Sequence, residues 1–83
     1  MSDSMQDEIR GLMGEIIEVD PAAIGPDDHL VRDLGADSMA ALELLAKLEQ
    51  RYGIVIEPEN LPELVTLGST VALVRRLTED SGG

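Results

Sequence analysis

The sequence predicts an all-α fold, a small bundle of three main helices plus one short helix. Apolar residues recur in steps of three and four over three stretches of the chain. The one alternating pair, Ile54 and Ile56, has no second strand candidate to partner it. At 83 residues there is room for a single core, and 43% hydrophobic content is enough to build it. With no Phe, no Trp and one Tyr, that core must consist of Leu, Ile, Val, Ala and Met. One domain over residues 1–83 is expected, with 80–83 as a flexible tail.

The first helix is expected over roughly 4–19. Met5, Ile9, Leu12, Met13, Ile16 and Ile17 share a face, Ser4 suits a cap, and Asp20-Pro21 marks the end. Residues 20–37 hold two Pro, two Gly and five Asp, which is loop chemistry, with Ile24, Leu30, Val31 and Leu34 as apolar plugs. The second helix should run from Ser38 to Tyr52 and stop at Gly53 in the C′ position. Its inner face is read as Ala41, Leu44, Leu45, Leu48 and Tyr52, with Leu42 at the margin. Met39, Ala40, Glu43, Lys47 and Gln50 fall outside. Pro58 opens the short helix and Pro62 limits it. Thr66 caps the last helix, Leu67, Val71, Val74 and Leu77 face inward, and Arg75 and Arg76 suit its negative end.

Charge and composition exclude several functions. The formal net charge is −11, of which −8 lies in residues 1–37, so nucleic acid and anionic lipid are repelled and basic protein surfaces attracted. No cysteine means no disulfide framework or thiolate metal site, and no apolar run is long enough to span a bilayer. A cytoplasmic monomer is expected. The spacing of Asp20, Asp27, Asp28, Asp33 and Asp37 does not fit an Asp-x-Asp-x-Asp-Gly calcium loop.

Ser38 sits where the Gly-containing loop turns into the second helix, directly after Asp37. A serine nucleophile needs a base and oxyanion donors, yet the only histidine, His29, is nine residues upstream. Asp37 beside the hydroxyl disfavours an alkoxide. Either residue can cap the helix, and together they leave a hydroxyl for an external enzyme to approach.

The stretch DLGADSM, residues 33–39, resembles the modification motif of acyl carrier proteins, Asp-Leu-Gly-x-Asp-Ser-Leu. The likeness continues through ALELLAKLEQRYGIVI and ends with TLGSTVALV, so it covers nearly the whole chain. It implies the acyl-carrier-protein fold and a non-catalytic carrier. Ser38 would receive 4′-phosphopantetheine from coenzyme A through a phosphopantetheinyl transferase, and Asp37 would support that modification. The arm's thiol would hold acyl groups as thioesters for acyltransferases, ketosynthases and other synthase enzymes with basic docking patches. Met39, Ala40, Glu43 and Lys47 would form the partner-docking face.

Departures from the family pattern accompany the likeness. Ala40 stands where fatty-acid carriers often have an acid, Lys47 and Arg51 make the helix less negative, and Leu30 replaces a frequent aromatic. Ala40, Lys47 and Arg51 tilt the reading toward polyketide or other specialised metabolism, with fatty-acid biosynthesis also open, while Leu30 and Pro62 bear on any cavity that shelters the acyl chain. A peptidyl carrier with an aminoacyl thioester more often shows Gly-Gly-x-Ser-Leu. A small acidic helical adaptor, with Ser38 only a cap, is the alternative from a different class.

Overall fold

The computed structural model describes residues 4–82, with side chains through residue 79. Three helices form the bundle: α1 (Ser4–Ile17), α2 (Ser38–Tyr52) and α3 (Leu67–Gly82). Short 3₁₀ segments occupy Pro21–Ala23 and Pro58–Glu63, and among the described residues no strand forms. Helix α1 packs on both α2 and α3, and the Pro58–Glu63 segment packs on α3. The core where they meet contains Ile9 and Met13 of α1, Leu44 and Leu48 of α2, and Leu67, Val71, Leu73 and Val74 of α3.

Helix α1 ends two residues before the expected boundary because Glu18 takes a left-handed conformation, φ 59°. The Val19 N–H then donates to the Gly14 carbonyl at 3.0 Å, a Schellman closure. This reversal folds the chain back over Gly14, so a Cβ there would lie 2.8 Å from the Val19 carbonyl oxygen and 3.0 Å from Pro21 Cγ. Helix α2 ends in the same way, with Gly53 at φ 62° and the Ile54 N–H bonded to the Glu49 carbonyl. Here the sequence and structure agree to the residue.

The long connection between α1 and α2 is pinned to the start of α3 and the segment just before it. The Leu30 N–H donates to the Val65 carbonyl at 2.8 Å and the Gly68 N–H to the Pro26 carbonyl at 2.9 Å. Ile24 and Leu30 are buried as plugs and Leu34 packs against the core, but Val31, expected as a fourth plug, is 56% exposed. A tight turn closes around it: the Gly35 N–H bonds the Val31 carbonyl, and His29 Nδ1 accepts from the Val31 and Arg32 N–H groups. The turn points Val31 outward and delivers Ala36 to the core instead.

Thr66 caps α3 as expected, in a reciprocal box: the Ser69 N–H donates to Thr66 Oγ1 and the Thr66 N–H to Ser69 Oγ. Thr70 is fully buried and donates to the Thr66 carbonyl at 2.7 Å, so its hydroxyl is satisfied. No basic residue lies in the last turn of α3. The helix passes Arg75 and Arg76 because no Pro or Gly interrupts it between Gly68 and Gly82. Arg76 instead forms a bidentate pair with Glu63, at 3.1 and 2.9 Å, tying the 3₁₀ segment to α3. Asp80 and Ser81 also belong to α3, inside the stretch read as a tail, and Gly83 lies outside the described residues.

A polar clasp joins α1 to α2. Tyr52 Oη donates to Glu8 Oε1 at 2.8 Å, and Arg51 Nε donates to the same oxygen at 3.2 Å. Burial first, and then donation to the carboxylate, pushes the Tyr52 hydroxyl up to about 12. The Tyr52 and Arg51 donors hold Glu8 below the ordinary carboxylate range.

Two outcomes follow for stability. Gly14→Ala must displace backbone and should cost about 1–3 kcal/mol, whereas Gly11→Ala, with nothing within 4 Å of the new methyl, should gain up to about 1 kcal/mol. Urea midpoints at constant m-value read both. Because Tyr52 is the only aromatic residue, its ionisation can be followed cleanly by ultraviolet absorbance. The native midpoint should fall near 12 rather than the free value of about 10. Raised folded-state affinity for the proton means that this stabilisation is complete below the unfolded value and is lost as pH rises through the folded one. A native midpoint at the unfolded value would contradict the clasp.

Candidate functional site

Helix α2 begins with an unambiguous division of labour between Asp37 and Ser38. Asp37 is the N-cap, in extended conformation, and its Oδ1 accepts from the Ala40 N–H at 2.9 Å. Its carbonyl also accepts the Ala41 N–H, the first bond of the helix ladder. Ser38 is therefore the first helical residue, where its own N–H needs no intrahelical acceptor and its side chain is not required as a cap. The residue is exposed, and among the described residues no hydrogen bond holds its hydroxyl.

Nothing beside Ser38 makes it a self-activated nucleophile. His29 Nδ1 is committed to backbone amides of its own turn. Three of the loop acids are similarly occupied: Asp28 accepts from the Gly25 N–H, Asp33 from the His29 N–H and Asp20 from the Ala22 N–H. Among the described residues no group of three or more His, Asp or Glu is arranged to hold a metal ion.

Around the serine, α2 presents a mixed surface. Met39 is 67% exposed, and Glu43 and Lys47 are also exposed, as their angular positions require. Ala40 is placed differently. It is half-buried and packs against the core beside Met13 and Ile17, because its small side chain lets α1 approach α2 near the cap. Leu42, read as marginal to the inner face, is 57% exposed.

Leu42 and Leu61 form the lips of an apolar groove of about 270 Å³, lined also by Ser38, Ala41 and Leu64. Sequence reasoning missed this groove. Its far wall comes from the Pro58–Glu63 segment and the residue after it, and only the fold brings Leu61 and Leu64 beside Ser38. Their three-residue spacing after Pro58 was the available signal. A second crevice, between α1 and α2 and lined by Met13, Ile16, Leu30 and Leu44 among others, holds only about 10 Å³. That is roughly the space of one water.

Known proteins share this sequence and this fold. The family described as the phosphopantetheine attachment site matches residues 7–74, which include the Asp37-Ser38 helix start. The chain belongs to the acyl carrier protein family. It is 36% identical to the meromycolate extension acyl carrier protein of Mycolicibacterium aurum over 98% of this chain and 87% of that one. It is 34% identical to the acyl carrier protein of Helicobacter pylori strain G27, over 82% and 87% of the two chains. A solved structure assigned as an acyl carrier protein of Mycobacterium tuberculosis superposes with a TM-score of 0.80 at 28% identity, covering 87% of this chain and 96% of that one.

As a member of this family, the chain is a carrier that tethers acyl intermediates on a phosphopantetheine arm. The peptidyl-carrier and adaptor alternatives are not favoured. Among the described residues, no helix is long and apolar enough to cross a membrane.

The cap geometry sets an expectation for stability. Asp37→Ala should cost about 1 kcal/mol by leaving the Ala40 N–H unpaired, while Ser38→Ala should change stability by less than about 0.5 kcal/mol. Equal losses in urea unfolding would mean that the serine shares the cap.

Proposed function

We propose that Ser38 is the attachment point of the 4′-phosphopantetheine arm, installed from coenzyme A by a phosphopantetheinyl transferase. The observation that carries this is the free, exposed hydroxyl at the first residue of α2, with capping delegated to Asp37. A phosphodiester at this point would sit at the positive end of a 15-residue helix, where negative charge is stabilised. When bound, the group supplies the thiol that this cysteine-free chain lacks.

The polypeptide's own contribution is placement. Asp37 holds the helix start and stands beside the hydroxyl, where it is available to the transferase's divalent metal or a basic group. Met39 offers an unbranched apolar contact next to the arm, and Glu43 meets Arg or Lys of synthase enzymes such as acyltransferases and ketosynthases. Lys47 extends the same face, whereas Ala40 contributes through packing rather than contact. The groove at Leu42 and Leu61 offers the near end of an acyl cargo an open apolar surface beside Ser38, whereas the crevice between α1 and α2 holds about 10 Å³ unless the aliphatic core parts. The pathway class is carbon-chain building of the fatty-acid or polyketide type, in line with relatives named for meromycolate extension. A cytoplasmic monomer fits the cysteine-free chain and its net charge of −11.

The test is intact mass after incubating the apo protein with coenzyme A and a broad-specificity phosphopantetheinyl transferase. The parent should gain one phosphopantetheine and Ser38→Ala none. An unmodified parent, or a modified Ser38→Ala, would overturn the assignment of Ser38.

A further inference from the structure

We infer that α2 carries a second docking point of opposite sign: an open hollow between α1 and α2 that seats an acidic side chain of a partner protein. The inference rests on the carrier reading only in taking α2 as the face that partners meet. The hollow measures about 420 Å³ and is lined by Leu12, Lys47, Gln50 and Arg51. It reverses the local charge of a chain whose net charge is −11.

The state of each charged group shows why. Arg10 is held by Asp7 and the Ile24 carbonyl, and Arg76 is paired with Glu63. Lys47 has no ion-pair partner among the described residues, although Glu43 lies four positions before it, at a spacing that commonly pairs. Arg51 uses Nε toward Glu8 and also interacts with the Tyr52 hydroxyl, and its side chain still lines the hollow. The nearest other acid on α2, Glu49, turns away and accepts from the Ile56 N–H at 2.9 Å. The hollow is thus lined by Lys47, which has no ion-pair partner among the described residues, by Arg51, which pairs with Glu8, and by Leu12 as an apolar contact.

This arrangement selects one kind of occupant. A nucleic acid or an anionic membrane spreads many negative charges over the whole −11 surface, far beyond the reach of two cations, whereas one or two acidic side chains meet only the local charge of the hollow. A second copy brings the same −11 and is repelled as a whole. An acidic side chain flanked by apolar residues on a partner surface satisfies both Lys47 and Arg51 and covers Leu12. Lys47 and Arg51 lie about 14 and 20 Å along α2 from Ser38. A partner engaging Glu43 with a base and this hollow with an acid is thereby fixed in one orientation on the helix.

The experiment is a titration of amide chemical shifts in the isotopically labelled full chain with acetyl-Leu-Glu-Glu-Leu-amide and, separately, acetyl-Leu-Lys-Lys-Leu-amide. The acidic peptide should shift Leu12, Lys47, Gln50 and Arg51, and the basic peptide should not. Lys47→Glu should weaken the acidic peptide about threefold to tenfold, and salt near 1 M, with a screening length of about 3 Å, should erase the difference. An acidic peptide that leaves these residues unmoved, or binds Lys47→Glu equally, overturns the inference. Shifts at the same residues on raising protein concentration alone would assign the hollow to a second copy and also overturn it. The parent chain, incubated in parallel with coenzyme A and the transferase, reads the state of Ser38 separately from the titration. A failed titration with normal loading therefore leaves the assignment of Ser38 standing.

Discussion

One hydrogen bond organises the functional end of this molecule: the 2.9 Å contact from the Ala40 N–H to Asp37 Oδ1. A helix start must satisfy its leading N–H groups, and either Asp37 or Ser38 has the chemistry to do so. With the aspartate in that position, the serine becomes the first helical residue and its hydroxyl has no structural task. The small Ala40 then settles against α1 instead of facing solvent, and the rotation of α2 sends Met39, Leu42 and Glu43 outward together. The cap thus separates what holds the helix from what the helix displays.

The rest of the fold keeps that start in place. The loop before it is unusually long for a small domain, yet it is anchored through Leu30 to Val65 and through Pro26 to Gly68. At the opposite end of α2, Gly53 closes the helix and the Glu8, Arg51 and Tyr52 clasp fastens it to α1. The Pro58–Glu63 segment, tied to α3 by the Glu63 and Arg76 pair, supplies the outer wall of the groove beside Ser38. A core without Phe or Trp is sufficient because short aliphatic side chains from all three helices interdigitate at its centre.

Much of this was legible in the residues. Helix α2 was readable at both ends because Asp37-Ser38 and Gly53 are strong local signals whose effect does not depend on distant contacts. Helix α3 began where Thr66 indicated, for the same reason. The misplacements came where tertiary contacts decide. Val31 lost its place in the core to Ala36 because a tight turn through His29 controls which residue faces inward. Arg76 left the helix dipole for Glu63, a partner that periodicity cannot reveal. Ala40 went inward because α1 approaches closely at that point, and angular position alone treats alanine as neutral. The groove at Ser38 was invisible since its walls are separated by some twenty residues of chain.

The claim that position within the cap, and not serine chemistry as such, makes residue 38 the point of attachment can be tested by exchanging the two residues, Asp37→Ser with Ser38→Asp. Serine is itself a competent cap, so the exchanged chain should fold and unfold in urea much as the parent does. It should nevertheless gain no mass with coenzyme A and a broad-specificity transferase, because its hydroxyl is now spent on the Ala40 N–H. A folded exchange variant that is modified as readily as the parent would contradict the account.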